Sequence, residues 1–250
     1  MFEHLQITEP DPRVLQICLN RPRQLNALGK QTIQELTAAL EEFDHSGHDV
    51  LLLTGAGRAF CFGADFTEFQ DRRQLLLLLQ LFQGLILKIY ESAKITVACL
   101  NGFATGAGLD LALACDFRLA AEKAKLGEAY ISMGLVSDGG GSFFLSRLIG
   151  AGRALELLTL GEAIPAADAK ALGLVNRVFS SEELASKSLE FAKTLSTKPQ
   201  TALRQIKKLV KQNSAVDLKT ALQNEQHAQT ICFDDPVHQS IVQEFLNKRR

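Results

Sequence analysis

Short apolar runs alternate with stretches of helical spacing through the first two thirds of the chain, and this alternation narrows the fold more than any other feature. Val14–Leu19, Val50–Thr54, Ile95–Leu100 and Phe117–Ala121 are apolar or β-branched runs bounded by turn residues, and they read as strands. Between the first two, Lys30–Phe43 carries Ile33, Leu36, Leu40 and Phe43 at helical spacing. Asn101-Gly102 marks a turn after the third strand, and Leu109–Cys115 then reads as a helix. Strands and helices in this order predict an α/β fold with buried strands.

Beyond about Gly150 the pattern changes. Ala151–Leu160, Ala166–Leu172, Ser181–Leu195, Thr201–Gln212 and Asp217–Ile231 read as helices, punctuated by Pro165, Pro199 and Pro236. The organisation expected is an α/β core over 1–180 and a helical region over 181–250. Apolar stripes on those last helices must cover either their own core or a neighbouring subunit. No internal repeat is evident in the sequence.

The chain has 250 residues, enough to bury a large core without disulfide or metal. Its 27 basic and 28 acidic residues leave a net charge of −1, which argues against a nucleic-acid partner. Cys18, Cys61, Cys99, Cys115 and Cys232 are odd in number and widely spaced, so they read as buried thiols in a reducing compartment. The start, MFEHLQITEP, lacks the basic and apolar regions of a signal peptide, and the expected location is the cytoplasm. The run Leu75–Leu87 is too short for a membrane span and contains Gln80, Gln83 and Gly84. It is expected to be a helix buried on several sides or capping an apolar pocket.

Several motifs are excluded. No P-loop occurs. Gly55-Ala56-Gly57 and Gly106-Ala107-Gly108 lack the third glycine of a dinucleotide fingerprint, where Phe60 and Leu111 stand. There is no Gly-x-Ser-x-Gly elbow, and the five histidines show no metal-ligand spacing. Three glycine-rich segments remain: Gly55–Asp65, Asn101–Asp110 and Met133–Ser142. Each by itself is an ordinary turn, and Asp138 before a helix can be an ordinary N-cap. Together they suggest backbone N–H groups converging on an anion.

The sequence resembles the crotonase family, the enoyl-CoA hydratases and isomerases, almost end to end. The resemblance is carried by Leu19-Asn-Arg-Pro-Arg-Gln-Leu-Asn-Ala-Leu28, Ala59-Phe-Cys-Phe-Gly-Ala-Asp65, Asn101-Gly-Phe-Ala-Thr-Gly-Ala-Gly108, Gly161–Val175 and the terminal Phe245-Leu-Asn-Lys-Arg-Arg250. It implies a spiral of ββα units with a C-terminal helical trimerisation region, a homotrimer or dimer of trimers, and an acyl-CoA thioester substrate. It also implies no cofactor beyond the coenzyme A of the substrate, and no metal. By position, the backbone N–H groups of Ala64 and Ala107 would hold the thioester oxygen, Ala107 standing where the family often has glycine. Two such fixed donors stabilise a thioester enolate, and losing one can cost ~3–4 kcal/mol.

The carboxylates depart from the hydratase pattern. The first of that pattern's two glutamates falls on Asp110 and the second on Tyr130. A phenol with a pKa near 10 is a poor general base at neutral pH. Glu128 is two residues from Tyr130, but an even offset in a loop does not fix direction. Asp138 matches instead the proton-shuttling acid of the family's Δ3-Δ2-enoyl-CoA, dienoyl-CoA and 1,2-epoxyphenylacetyl-CoA isomerases. The resemblance therefore implies an enoyl-CoA isomerase of fatty-acid (β-oxidation) or phenylacetate catabolism. Three alternatives stay open: a weak hydratase (a lyase) using Asp110 alone, a non-catalytic acyl-CoA-binding protein, and a thioesterase or dehalogenase of the same fold. Asp110 is also an ordinary first-turn helix carboxylate. For the nucleotide, the resemblance points to Arg23 and Arg58 at phosphates, to the backbone of Ala64, Asp65 and Phe66, and to Phe245 and Lys248 approaching from an adjacent subunit.

Overall fold

A computed structural model describes residues 2–68 and 71–248. Arg249 and Arg250, the end of the terminal motif, lie outside the described residues. The chain forms two compact units, Met1–Lys193 and Thr194–Arg250.

The first unit opens with the hairpin β1 (Leu5–Asp11) and β2 (Val14–Leu19), followed by α1 (Lys30–His45). Three further steps each place a long strand, a short strand and then a helix. They are β3 (Val50–Gly55), β4 (Ala59–Cys61) and α2 (Arg72–Glu91); β5 (Ile95–Leu100), β6 (Phe103–Thr105) and α3 (Ala107–Ala114); β7 (Phe117–Ala121), β8 (Lys125–Gly127) and α4 (Gly141–Ile149). The helix α5 (Ala151–Leu160), β9 (Ile164–Pro165), α6 (Ala166–Ala171), β10 (Arg177–Phe179) and α7 (Leu184–Ser196) follow. This threefold ββα repeat is a structural one that the sequence does not announce, because its short strands are only three residues long.

The long strands build a six-stranded sheet in the order β1-β2-β3-β5-β7-β10, parallel except for the first pair. The short strands build a second sheet, β4-β6-β8-β9. Registers such as Leu51↔Thr96 and Cys99↔Leu119 keep the long strands in step, so each short strand follows its partner at one end of the main sheet. Strands β3 and β5 are buried along nearly their whole length, as expected of strands covered on both faces.

The apolar run Leu75–Leu87 lies in α2, capped by Asp71, whose carboxylate accepts from Arg73 N–H and Gln74 N–H. It is not buried on several sides. Phe82, Leu85, Ile86 and Ile89 form one stripe in the core, while Leu75, Leu76, Leu77 and Leu87 are exposed. Alone among the described helices α2 is long and apolar enough to cross a membrane, yet its buried stripe packs into the core of the first unit. The cysteines are free; Cys61, Cys99 and Cys115 are buried as expected, but Cys18 and Cys232 are only half-buried. Burial pushes the thiols of Cys61 and Cys99 up to about 12, which makes them inert at neutral pH.

The second unit holds α8 (Gln200–Gln212), α9 (Leu218–Phe233) and α10 (Pro236–Asn247). Asp217 caps α9 and Asp235 caps α10, where Pro236 takes the first helical position. Val237, Ile241, Val242 and Phe245 leave an apolar stripe of α10 exposed.

Candidate active site

Two glycines with left-handed backbone introduce the site. Gly63 has φ +111° and Gly106 has φ +52°, backbone that glycine adopts freely and an L side chain rarely does. Each directly precedes one of the residues assigned to the thioester oxygen, Ala64 and Ala107. The β4–β6 pairing brings the two turns together: a Cβ on Gly63 would stand 3.0 Å from Thr105 O and 3.8 Å from Ala107 N. Gly108 allows the close approach, since a Cβ there would meet Cys61 O at 2.1 Å. Neither Ala64 N–H nor Ala107 N–H donates a hydrogen bond among the described residues. Ala107 is also the first residue of α3, where the helix dipole favours negative charge.

Beside these donors lies a cluster of acids. Asp110 is in the first turn of α3 and is 0 % exposed. Tyr130, in the turn Ala129–Met133 after β8, packs its ring near Gly106 and points its hydroxyl at two carboxylates at once. The phenol oxygen is 2.7 Å from Asp110 Oδ2 and 2.9 Å from Asp138 Oδ1. Gly139 N–H donates to Asp110 Oδ2 at 3.2 Å, and Ser137 Oγ lies 3.2–3.3 Å from both Asp110 oxygens. Asp138 is half-buried. Its side chain does not cap α4; Ser137 Oγ accepts Gly141 N–H at 2.8 Å instead. The capping alternative for Asp138 is thereby removed.

Burial is the first cause of every pKa shift here. It raises Asp110 to about 6, against the hydrogen bond from Tyr130 and with the help of the Asp138 charge. It raises Asp138 as well, and it drives Tyr130 far above its ordinary value, aided by both aspartates. Tyr130 therefore stays a neutral phenol, a hydrogen-bonding group and not a base. No Lys, Arg or His pairs with any of these acids among the described residues.

The direction of one member, Glu128, is left open by the sequence. Glu128 turns inward behind Asp110, is 1 % exposed, and has no hydrogen-bond partner at either carboxylate oxygen among the described residues. Its place beside Tyr130 in the chain was the sole available signal.

The nucleotide-binding candidates are more dispersed. Asp65 is committed to the fold: its carboxylate takes Thr67 Oγ1 at 2.6 Å and Arg21 NH1 at 2.9 Å. Arg23, Arg58 and Phe66 are exposed side chains of the first unit, and Phe245 and Lys248 are exposed side chains of the second. A separate cavity of about 400 Å³, lined by Lys30, Glu68, Gln74, Leu77 and Leu78, contains none of the acids. The helix α2 does reach the cluster, through Gln83 Nε2, which donates to Asp138 O at 3.1 Å. No group of side chains suited to a metal ion is found among the described residues.

Residues 9–250 match the family model described as enoyl-CoA hydratase/isomerase. Similar proteins include the short-chain-enoyl-CoA hydratase of Clostridium acetobutylicum, 31% identical over 98% of this chain and 95% of that protein. Another is the crotonyl-CoA hydratase of Syntrophomonas wolfei, 33% identical over 98% and 95%. The crystal structure of an enoyl-CoA hydratase from Bacillus anthracis superposes with a TM-score of 0.95 at 34% identity, covering 98% of this chain and 97% of that one. With its paired sheets, its ββα repeat and this end-to-end similarity, the chain belongs to the enoyl-CoA hydratase/isomerase, or crotonase, family.

Proposed function

We propose that this enzyme is an acyl-CoA isomerase that moves a double bond from carbon 3 to carbon 2 of an enoyl-CoA. The observation that carries the reading is the layering of the acids. Asp110 is wholly covered and bonded to Tyr130, whereas Asp138 is the aspartate with exposed surface. In the proposed step the carboxylate of Asp138 removes a proton from carbon 2. The C–H electrons pass into the thioester, and Ala64 N–H and Ala107 N–H stabilise the oxygen of the resulting dienolate. Asp138 then returns the proton to carbon 4, which leaves the double bond between carbons 2 and 3. A pKa raised by burial suits Asp138 to both halves of that exchange.

Arg23 and Arg58 are placed by this reading at the nucleotide phosphates, and α2 beside the acyl chain. The exposed stripe of α10 supports assembly into a homotrimer or dimer of trimers through the C-terminal unit, with Phe245 and Lys248 against a neighbour's nucleotide. Light scattering of the full chain and of a truncation after Thr230 tests this; a full-length monomer would overturn it.

Hydration is the second reading, favoured by the names of the relatives, most of which are hydratases. Here Asp110 would have to serve a water that Tyr130 cannot activate. Absorbance of the conjugated thioester separates the two. The isomerase reading expects it to rise with a 3-enoyl-CoA and to change little with a 2-enoyl-CoA. Rapid loss with the 2-enoyl-CoA and no rise with the other would establish hydration instead.

A further inference from the structure

Glu128 is a buried acid for which the proposed reaction has no use. Its Oε1 shares one small space with two other oxygens beside Gly141. The point a Cβ on Gly141 would occupy is 2.9 Å from Glu128 Oε1, 2.7 Å from Asp110 Oδ1 and 2.6 Å from Ser137 Oγ. The groups that face Glu128 are Asp110 from α3, Tyr130 from its own turn, and Ser137 and Asp138 from the loop before α4. All are acidic or neutral, and burial followed by the two aspartate charges pushes Glu128 well above the carboxylate range. A desolvated carboxyl without a donor holds its proton and so becomes a donor itself. Ser137 Oγ already accepts Gly141 N–H and faces Asp110 with its own hydrogen. Asp110 Oδ1 is the acceptor left to Glu128, because Tyr130 and Gly139 bond the other oxygen.

We infer that Glu128 is a positioning residue: a neutral carboxylic acid that donates to Asp110 and thereby fixes the direction of the hydrogen bonds reaching Asp138. With Glu128, Ser137 and Gly139 all donating to it, Asp110 remains an acceptor, and the single phenol proton of Tyr130 turns toward Asp110. The Tyr130 oxygen then offers its lone pair to Asp138. Asp138 makes use of that lone pair once it carries the proton taken from carbon 2, since its new O–H donates to Tyr130 until the proton passes to carbon 4. Reversing the chain would leave Tyr130 donating to ionised Asp138, a weaker base.

The inference rests on the isomerase reading for its consequence, though not for its first test. Infrared spectra of the unliganded full-length enzyme at pH 7.5 are expected to show a protonated-carboxyl carbonyl band that Glu128→Gln removes. Absence of such a band overturns the inference whether or not any thioester is turned over. In kinetics, Glu128→Gln keeps a neutral donor and is expected to hold kcat within about threefold with the acid limb of its pH profile in place. Glu128→Leu removes the donor; it is expected to lower kcat about tenfold with KM little changed, and to move the acid limb to lower pH. A Gln variant as impaired as the Leu variant, or a Leu variant with the wild-type profile, overturns the inference.

Discussion

Arg118 and Glu128 are both ionisable side chains almost without exposure, ten residues apart in the same unit, and they have opposite surroundings. The Arg118 guanidinium donates from Nε to Leu174 O and from NH1 to Cys115 O, both at 2.8 Å, and its backbone N–H meets Asn176 Oδ1. Lys94 is treated alike, its Nζ donating to Phe43 O and Ser46 O. These cations tie the ends of α1 and α3 and the segment after α6 to the main sheet, and carbonyls stand ready for them. Glu128 has no such partner and faces two further acids. A buried charge that serves the scaffold is compensated where it stands; a buried acid left without compensation belongs to a site that handles protons.

The contrast predicts different losses on the two sides. Asp138→Asn keeps the shape at the acid cluster and removes the base, so isomerisation of a 3-enoyl-CoA should fall by ~10²–10⁴ with thioester affinity nearly unchanged. A rate above about a tenth of wild type would remove Asp138 from the mechanism. Arg118→Met should do the reverse. It strands Leu174 O and Cys115 O and is expected to lower stability by about 2–4 kcal/mol, read by chemical denaturation, with little change in kcat of the folded enzyme.

Gly141→Ala sharpens the comparison, because its methyl would enter the space where three side-chain oxygens meet. Overpacking of this kind costs ~1–3 kcal/mol, and kcat should fall as well, since the acids must separate. The smallest effect concerns the pH dependence of stability, which Asp110→Asn should flatten by removing a titrating group from the cluster. The folded enzyme holds the Asp110 proton up to about 6 while the unfolded chain releases it near 4. Wild-type stability thus declines as pH rises through that window and levels off above it, and the variant should show a shallower decline in denaturation midpoints between pH 4 and 7.

Much of this was legible in the sequence. The strands Val14–Leu19, Ile95–Leu100 and Phe117–Ala121 are found at those bounds, because buried strands are short, mostly apolar runs that end at turn residues, even where Gln16 and Arg118 interrupt them. The short strands Ala59–Cys61 and Phe103–Thr105 were not, since three residues carry no periodicity and their role comes from pairing with one another. Asp110, Tyr130 and Asp138 were recognisable one by one from the family resemblance. Their convergence on one phenol oxygen was not, because it depends on how the turn after β8 folds over α3. The direction of Glu128 likewise follows from that turn.

The left-handed turns at Gly63 and Gly106 have a consequence for inheritance. In the proposed site they aim main-chain groups, so the half that activates the thioester is encoded by two glycines and a strand pairing, and no side chain there can be exchanged to alter it. The half that moves protons is made wholly of side chains on separate segments. Descendants of such a chain can try new acids one codon at a time while the activated intermediate stays the same, so that a change of reaction need not pass through an ancestor unable to bind or polarise its substrate.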